Sequence, residues 1–202
     1  MTKPKILLTR RWPEAVEARL AASYDVTRNE SDLPMDAAAL AAAMRDHDAL
    51  CPTVTDKITR EVLLTEGRRA RVIGNYGAGF EHIDLDAART GGIVVTNTPD
   101  VLTDATADIA MTLILMAMRR AGEGERELRA GEWTGWRPTH LLGRSLRGKI
   151  LGLVGYGRIA RAVAERARAF GMEVIIHSRS RAGDVPVAAY HPTLESLLRA
   201  AD

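Results

Sequence analysis

The sequence predicts an α/β protein built on parallel sheets, and three observations lead to that class. Short apolar segments alternate with helical stretches over residues 1–99, a pattern typical of a parallel sheet covered on both faces. A Gly-x-Gly-x-x-Ala string at residues 155–160 lies between a second apolar strand and a helix. Between them, Thr98-Pro99-Asp100 interrupts the alternation as a hinge would. We therefore expect two α/β parts.

In the first part, each apolar segment is short enough to be a buried strand, and each intervening stretch is long enough to be a helix. The helix before residue 65 is expected to begin at Thr55, a favourable N-cap residue. The strands are predicted at Lys5–Leu8, around Val26, and at Ala49–Cys51, Val72–Gly74 and Ile93–Thr96, and the helices at 13–22, 35–44, 55–64 and 85–90.

A long apolar helix is predicted beyond the hinge, from Asp104 to Arg120. Its acidic start and basic end suit the helix dipole. The middle, Ile109–Met118, has almost no polar face, so we expect burial on all sides, between domains or between subunits. Residues 121–148 are polar and glycine-rich, and we expect an arm or functional segment with little secondary structure.

The last part contains the Gly-x-Gly-x-x-Ala motif, preceded by strand Ile150–Val154 and followed by helix 159–170, strand 173–176 and helix 193–201. In this context the motif predicts a dinucleotide site, since the helix N-terminus holds phosphates and small residues let the backbone approach them. A tight strand-to-helix turn without a ligand is the alternative. The motif residues assigned to the cofactor are Gly155, Tyr156, Gly157, Arg158 and Ile159.

The end of the second strand predicts the type of cofactor. NAD sites usually place a carboxylate there for the ribose hydroxyls, whereas this chain has His177, Ser178, Arg179 and Ser180. A guanidinium can pair with a 2′-phosphate, and no carboxylate repels it. We therefore predict that Ser178, Arg179 and Ser180 favour NADP(H), with NAD(H) possible. An ordinary exposed arginine is the alternative.

Composition excludes several other classes. A net charge of +2 gives no basis for nucleic-acid binding, and the small cluster of Arg68, Arg69 and Arg71 is interpreted as a solvated helix end. The single cysteine, Cys51, fits a reducing cytoplasm and is interpreted as a core residue. No apolar run is long enough for a membrane span. A metal site is not expected, because the set around His82 is incomplete and Asp84 suits a helix cap.

Two further segments carry a family resemblance: Asn75-Tyr76-Gly77-Ala78-Gly79-Phe80-Glu81-His82-Ile83-Asp84, and residues 97–104. With the dinucleotide motif, they resemble the D-isomer-specific 2-hydroxyacid dehydrogenases, in the glyoxylate/hydroxypyruvate reductase branch. The resemblance implies a flavodoxin-like substrate domain at 1–99. It also implies a hinge, dimerisation helix and arm at 100–148, and the start of an incomplete Rossmann domain at 149–202.

The resemblance also assigns site residues. Backbone amides of Tyr76, Gly77, Ala78 and Gly79 would hold the substrate carboxylate; two glycines after a strand form a nest-like turn, with a plain turn as the alternative. Val54 would pack on the substrate, and Leu102 and Thr106 would lie beside the nicotinamide. Trp136 would reach the partner subunit's active site, or else anchor its own arm.

The implied activity is NADP(H)-dependent reduction of small 2-oxo acids, glyoxylate or hydroxypyruvate, to 2-hydroxy acids by a cytoplasmic homodimer. In the family an arginine, a glutamate and a histidine perform the chemistry, and their motifs would fall after Asp202. The catalytic residues are therefore expected outside this chain, which as written should lack activity. The alternatives are a non-enzymatic dinucleotide-sensing protein of the corepressor type and an inactive dimerising fragment.

Overall fold

The computed structural model describes residues 2–179 and 189–202 of the chain. The chain divides into two compact units, residues 1–101 and 102–202. Both contain parallel strands connected by helices, which confirms the predicted α/β class.

The first unit is a five-stranded parallel sheet in the order β2-β1-β3-β4-β5. Every strand is short, and a helix connects each strand to the next one along the chain, as parallel pairing requires. The strands are β1 (Lys5–Leu8), β2 (Asp25–Arg28), β3 (Ala49–Cys51), β4 (Val72–Gly74) and β5 (Val94–Thr96), and the helices are α1 (Glu14–Ser23), α2 (Ala37–Asp46), α3 (Arg60–Leu63) and α4 (Leu85–Thr90).

Side-chain alternation along the strands divides the core between the two faces of this sheet. Leu7 and Leu50 pack with helices α2, α3 and α4 on one face. Ile6, Leu8 and Cys51 lie in a smaller cluster with Leu20 of α1 on the other. Since successive strand residues point to opposite faces, strands buried on both sides read as continuous apolar runs, which is why they were recognisable in the sequence.

The third helix is shorter than predicted. It spans Arg60–Leu63 and is preceded by Thr59, so the expectation of a helix capped by Thr55 is wrong. The buried carboxylate of Asp56 holds residues 53–56 in a turn instead, accepting hydrogen bonds from the Thr53 amide (2.8 Å) and the Thr9 hydroxyl (2.6 Å). A side chain that bonds its neighbouring backbone competes with helix formation.

The arginine cluster is also different from the prediction, because it lies in the loop before β4 and not at a helix end. Arg69 forms a two-pronged ion pair with Asp48 (2.7 and 2.8 Å). Arg68 donates to the carbonyl oxygens of Ala70 and Gly91. These contacts connect the loop to the sheet.

The described part of the second unit, residues 102–179 and 189–202, contains a two-stranded parallel sheet and four helices. Strands β6 and β7 pair in register from Ile150 with Glu173 to Val154 with His177. The elements in chain order are α5 (Thr103–Arg119), α6 (Ala121–Arg129), β6 (Ile150–Val154), α7 (Arg158–Ala169), β7 (Glu173–His177) and α8 (Leu194–Ala200).

Helix α6 corrects the expectation that residues 121–148 contain little secondary structure. None of its residues is buried, so the sequence contains no apolar stripe that would predict this helix. Its charged side chains pair locally instead: Arg120 with Glu123, and Arg129 with Glu125. Glu127 also binds Arg137 and His140 of the following segment. Such pairs support a solvated helix.

Within the described part of the chain, helix α5 is covered on one face, and its burial between domains or between subunits stays a prediction. Ala107 and Met111 are buried against α7 in the core of the second unit. Ile109, Leu113 and Met116, spaced as one helical stripe, are 60%, 61% and 41% exposed. Among the described residues no helix is long and apolar enough to cross a membrane.

Candidate functional site

The carboxyl ends of the strands in the first unit collect polar and glycine residues at one edge of the sheet. Thr9 follows β1, Thr53 follows β3, Asn75 follows β4 and Asn97 follows β5. Ligands of parallel α/β sheets bind outside this edge. Thr53 and Tyr76 are joined there by a parallel bridge, with the Tyr76 amide donating to the Pro52 carbonyl (2.8 Å).

In the loop of residues 77–79, three successive carbonyl oxygens are held by side chains from the sheet edge. The Asn75 amide group donates to the oxygens of Gly77 (3.2 Å) and Gly79 (2.8 Å). The Asn97 amide group donates to the oxygen of Ala78 (2.8 Å). The Thr98 amide also donates to Gly77 (3.0 Å). The carbonyl side of the loop is thus bound to the protein.

The geometry of the peptide bond determines where the N–H groups point. In a trans peptide the N–H is opposite to the C=O of the preceding residue, so the N–H groups of Ala78 and Gly79 face away from Asn75 and Asn97. Within residues 2–179 and 189–202 neither amide has an acceptor. By contrast, the amides of Tyr76 and Gly77 already bond to Pro52 and Asn75. Of the four predicted amides, the structure leaves two available to an anion.

Apolar groups stand beside these amides. Val54 is 62% exposed, and a methyl group placed on Gly77 would lie 3.2 Å from Val54 Cγ1, so the two residues are adjacent. Tyr76 packs against Trp12 with the ring centroids 4.8 Å apart. These groups give the surface an apolar part, and the Glu81 carboxylate lies on the other side, where a methyl group placed on Gly79 would meet it at 2.6 Å.

Sequence reasoning missed the two residues that support this loop, Asn75 and Asn97. The available signal was a polar amide residue directly after each of two buried strands. His82, considered only as a metal ligand, donates a hydrogen bond from Nε2 to Asn75 Oδ1 (2.9 Å). Burial lowers the pKa of His82, with the charges of Asp56 and Glu81 acting in the opposite direction. Among the described residues no cluster could hold a metal ion, and Asp84 caps α4 through the Ala87 amide (2.8 Å).

In the second unit the turn between β6 and α7 is open to a ligand. Gly155 has a φ of +90°, a conformation that favours glycine. Gly157 is the N-cap, and a methyl group on it would meet no atom within 4 Å. Since no described side chain caps α7, the first-turn amides of Ile159 and Ala160 are left for a bound anion. Arg161 lies over the Tyr156 ring, with its guanidinium carbon 4.4 Å from the centroid.

Three neighbouring residues at the end of β7, His177, Ser178 and Arg179, offer no carboxylate. The His177 ring bonds through Nδ1 to the His191 carbonyl (3.0 Å). The Tyr190 hydroxyl donates to the carbonyl oxygen of Ser178 (3.2 Å), and Arg179 is exposed. Ser180, also predicted to bind the cofactor, lies outside the described residues. The glycine turn and the uncapped amides of α7 together fit the pyrophosphate of a dinucleotide.

The remaining predicted residues lie in the second unit, and nothing in the structure assigns them a ligand. Leu102 precedes α5 and is 37% exposed, and the Thr106 hydroxyl donates to the Leu102 carbonyl oxygen (2.7 Å). Trp136 is 83% exposed. Their proposed contacts with the nicotinamide and the partner subunit stay predictions.

Comparison with known proteins identifies the family of the chain. Residues 6–201 match the family described as D-isomer specific 2-hydroxyacid dehydrogenase, catalytic domain. The chain belongs to this family. The resemblance stated from the sequence is thereby confirmed.

Several characterised relatives and structures are similar over nearly the whole chain. A glyoxylate reductase of Thermococcus litoralis is 40% identical, and a glycerate dehydrogenase of Hyphomicrobium methylovorum is 41% identical; the alignments cover 99% and 98% of this chain. A crystal structure of an NADPH-dependent glyoxylate/hydroxypyruvate reductase from Sinorhizobium meliloti, in complex with NADP and malonate, is 35% identical with a TM-score of 0.82 and covers all of this chain. The chain spans only 62%, 63% and 61% of these proteins, respectively.

Proposed function

We propose that the protein reduces small 2-oxo acids, with glyoxylate and hydroxypyruvate as the main candidates, to 2-hydroxy acids using NADPH. The observation that carries the proposal is the pair of outward-facing amides at Ala78 and Gly79 in a chain of this family. Two convergent N–H donors suit a carboxylate. The Sinorhizobium meliloti reductase, bound to NADP and the dicarboxylate malonate, supports both the ligand class and the cofactor.

The proposed roles follow the two units. In residues 1–99 the Ala78 and Gly79 amides hold the substrate carboxylate, while Val54 and Tyr76 limit the size of the group attached to C2. In residues 149–202 the Gly155–Ile159 turn holds the pyrophosphate, and Ser178, Arg179 and Ser180 hold the 2′-phosphate. NADPH, when bound, supplies a hydride for C2 of the substrate, and the carbonyl oxygen takes up a proton.

The substrate surface favours short 2-oxo acids. Trp12 and Tyr76 are packed together, so the wall beside Val54 is built from large side chains rather than an open channel. We expect glyoxylate and hydroxypyruvate to be reduced with higher kcat/KM than 2-oxo acids that carry a branched or aromatic group.

The test is a steady-state panel of 2-oxo acids with the natural full-length protein, each acid with NADPH and with NADH. We expect turnover of glyoxylate or hydroxypyruvate and a higher kcat/KM with NADPH. NADPH binding without turnover of any 2-oxo acid would favour the dinucleotide-sensing alternative instead. The relatives reported above are named as enzymes and give that alternative no support.

A further inference from the structure

We infer that His82 and Asn75 form a positioning pair that keeps the carboxylate-binding amides pointing outward. The inference deepens the proposed function, since it concerns the same loop. Neither residue needs to touch the substrate. The evidence is a continuous chain of hydrogen bonds from the His82 ring through Asn75 to the carbonyl groups of the loop.

Only one assignment of donors and acceptors is consistent with this chain of hydrogen bonds. Both carbonyl oxygens, of Gly77 and Gly79, need donors, so the group of Asn75 that faces them is the NH₂. Asn75 Oδ1 therefore faces His82 Nε2 at 2.9 Å, and an amide oxygen can only accept. His82 Nε2 must then carry a hydrogen. Without that donor the buried Asn75 Oδ1 has no partner, and only the bonds to the loop carbonyls still hold the Asn75 amide.

His82 is itself fixed by the backbone around it. The Ile58 amide donates to the His82 carbonyl oxygen (2.9 Å), and Ile58 and Ile83 form a parallel bridge. The side chain of Asn75 is 3% exposed, so water cannot easily replace the ring as the donor. Burial lowers the pKa of His82. A neutral ring with its hydrogen on Nε2 therefore avoids a buried charge and supplies the donor that Asn75 Oδ1 needs.

Loss of this pair should weaken substrate binding more than it slows the chemical step. The pair acts on the direction of the Ala78 and Gly79 amides, and these bind a carboxylate that the reaction does not change. Loss of the His82 donor should therefore raise KM for the 2-oxo acid more than it lowers kcat. Cofactor binding at residues 155–159 should be unaffected.

The kinetic test compares His82→Phe, which removes the donor, with His82→Gln, whose side-chain amide can replace Nε2–H. We expect His82→Phe to raise KM for the 2-oxo acid by about tenfold with kcat within about twofold. His82→Gln should restore most of the loss. In an Asn75→Ala background His82→Phe should add no further increase in KM, because both changes remove the same interaction. An unchanged KM in His82→Phe, or fully additive effects, would overturn the inference.

A second measurement needs neither turnover nor a variant. The ¹⁵N chemical shifts of the His82 ring in the wild-type protein report its tautomer, and we expect Nε2–H at neutral pH. A neutral ring protonated on Nδ1 would overturn the positioning pair even if the enzyme is active. Absence of activity toward every 2-oxo acid, together with the Nε2–H tautomer, would instead reject the proposed function and leave the pair supported.

Discussion

Arg179 is the residue on which the proposed preference for NADPH rests. It is exposed at the end of β7, where the sequence offers no carboxylate. A guanidinium paired with a 2′-phosphate is worth about 1–3 kcal/mol as a charged hydrogen bond. Arg179→Ala should therefore weaken NADPH binding by that amount and leave NADH binding nearly unchanged, as measured by fluorescence titration with each cofactor.

The matched control for that experiment is Arg168→Ala. Arg168 is an exposed arginine of the same unit near the C-terminal end of α7, whereas the phosphate-binding turn lies at the N-terminal end. We expect its removal to change neither affinity. Equal losses for both cofactors in Arg179→Ala would contradict a role at the 2′-phosphate.

Cys51 gives a second prediction at this scale. The thiol is 8% exposed, and burial raises its pKa to about 11. At pH 8 roughly 0.1% of the thiol is therefore ionised, and only the thiolate reacts with disulfide reagents. We expect no reaction of the native protein with a disulfide reagent over minutes, and one thiol per chain after denaturation. Rapid native labelling would show that Cys51 is accessible.

Single residues were predictable where their chemistry acts locally. The cap at Asp84 and the core position of Cys51 both follow from residue type and neighbouring pattern, and both are confirmed. Asn75 and Asn97 could not be assigned in this way. Their partners are carbonyl groups of a neighbouring loop, and those contacts exist only once the strands lie side by side.

At the scale of elements, helix α2 shows how burial can oppose the helix dipole. His47 follows its last turn, where the dipole and the bond from Nδ1 to the Ala43 carbonyl (3.1 Å) both favour a charged ring. Burial is the larger effect and lowers the pKa of His47. His47 Nε2 has no partner within the described residues.

Stability should consequently fall on mild acidification. A histidine whose folded pKa is lowered binds its proton in the unfolded chain first, so its contribution is complete above about pH 6.5 and declines below it. We expect the melting temperature to decrease from pH 7 to pH 5, and His47→Gln to reduce that slope. The carboxylates with lowered pKa, such as Glu17, act at lower pH. His82, whose pKa burial also lowers, acts in the same range but is present in both proteins, so it does not change the difference between the slopes. Identical slopes in both proteins would contradict the assignment.

Elements were predictable to the extent that they bury an apolar stripe. Most of the described strands were found because each is a short continuous apolar run, and helix α2 was found because it is rich in alanine. Helix α6 buries nothing and was missed, and the start of α3 was misplaced because a buried Asp56 overrides the cap propensity of Thr55. For α3, the tertiary contacts of the Asp56 side chain determine where the helix begins.

At the scale of the whole molecule, the apolar stripe of α5 stays exposed to solvent among the described residues. Burying each such side chain is worth roughly 1.5–3 kcal/mol, and family resemblance places a dimer at this helix. We therefore predict a homodimer at micromolar concentration, measured by light scattering. Leu113→Glu, at a position 61% exposed in the chain, should give a monomer.

Two control variants distinguish loss of this interface from an effect of added surface charge and from an effect on catalysis. Leu33 is 66% exposed in the first unit, and Leu33→Glu adds the same charge elsewhere, so the mass should remain that of a dimer. Trp136→Ala should also remain dimeric while KM or substrate preference changes, since the resemblance places this exposed side chain at the partner's active site. A monomeric wild-type protein would reject the dimer. A Trp136→Ala dimer with unchanged kinetics would restrict Trp136 to anchoring its own arm.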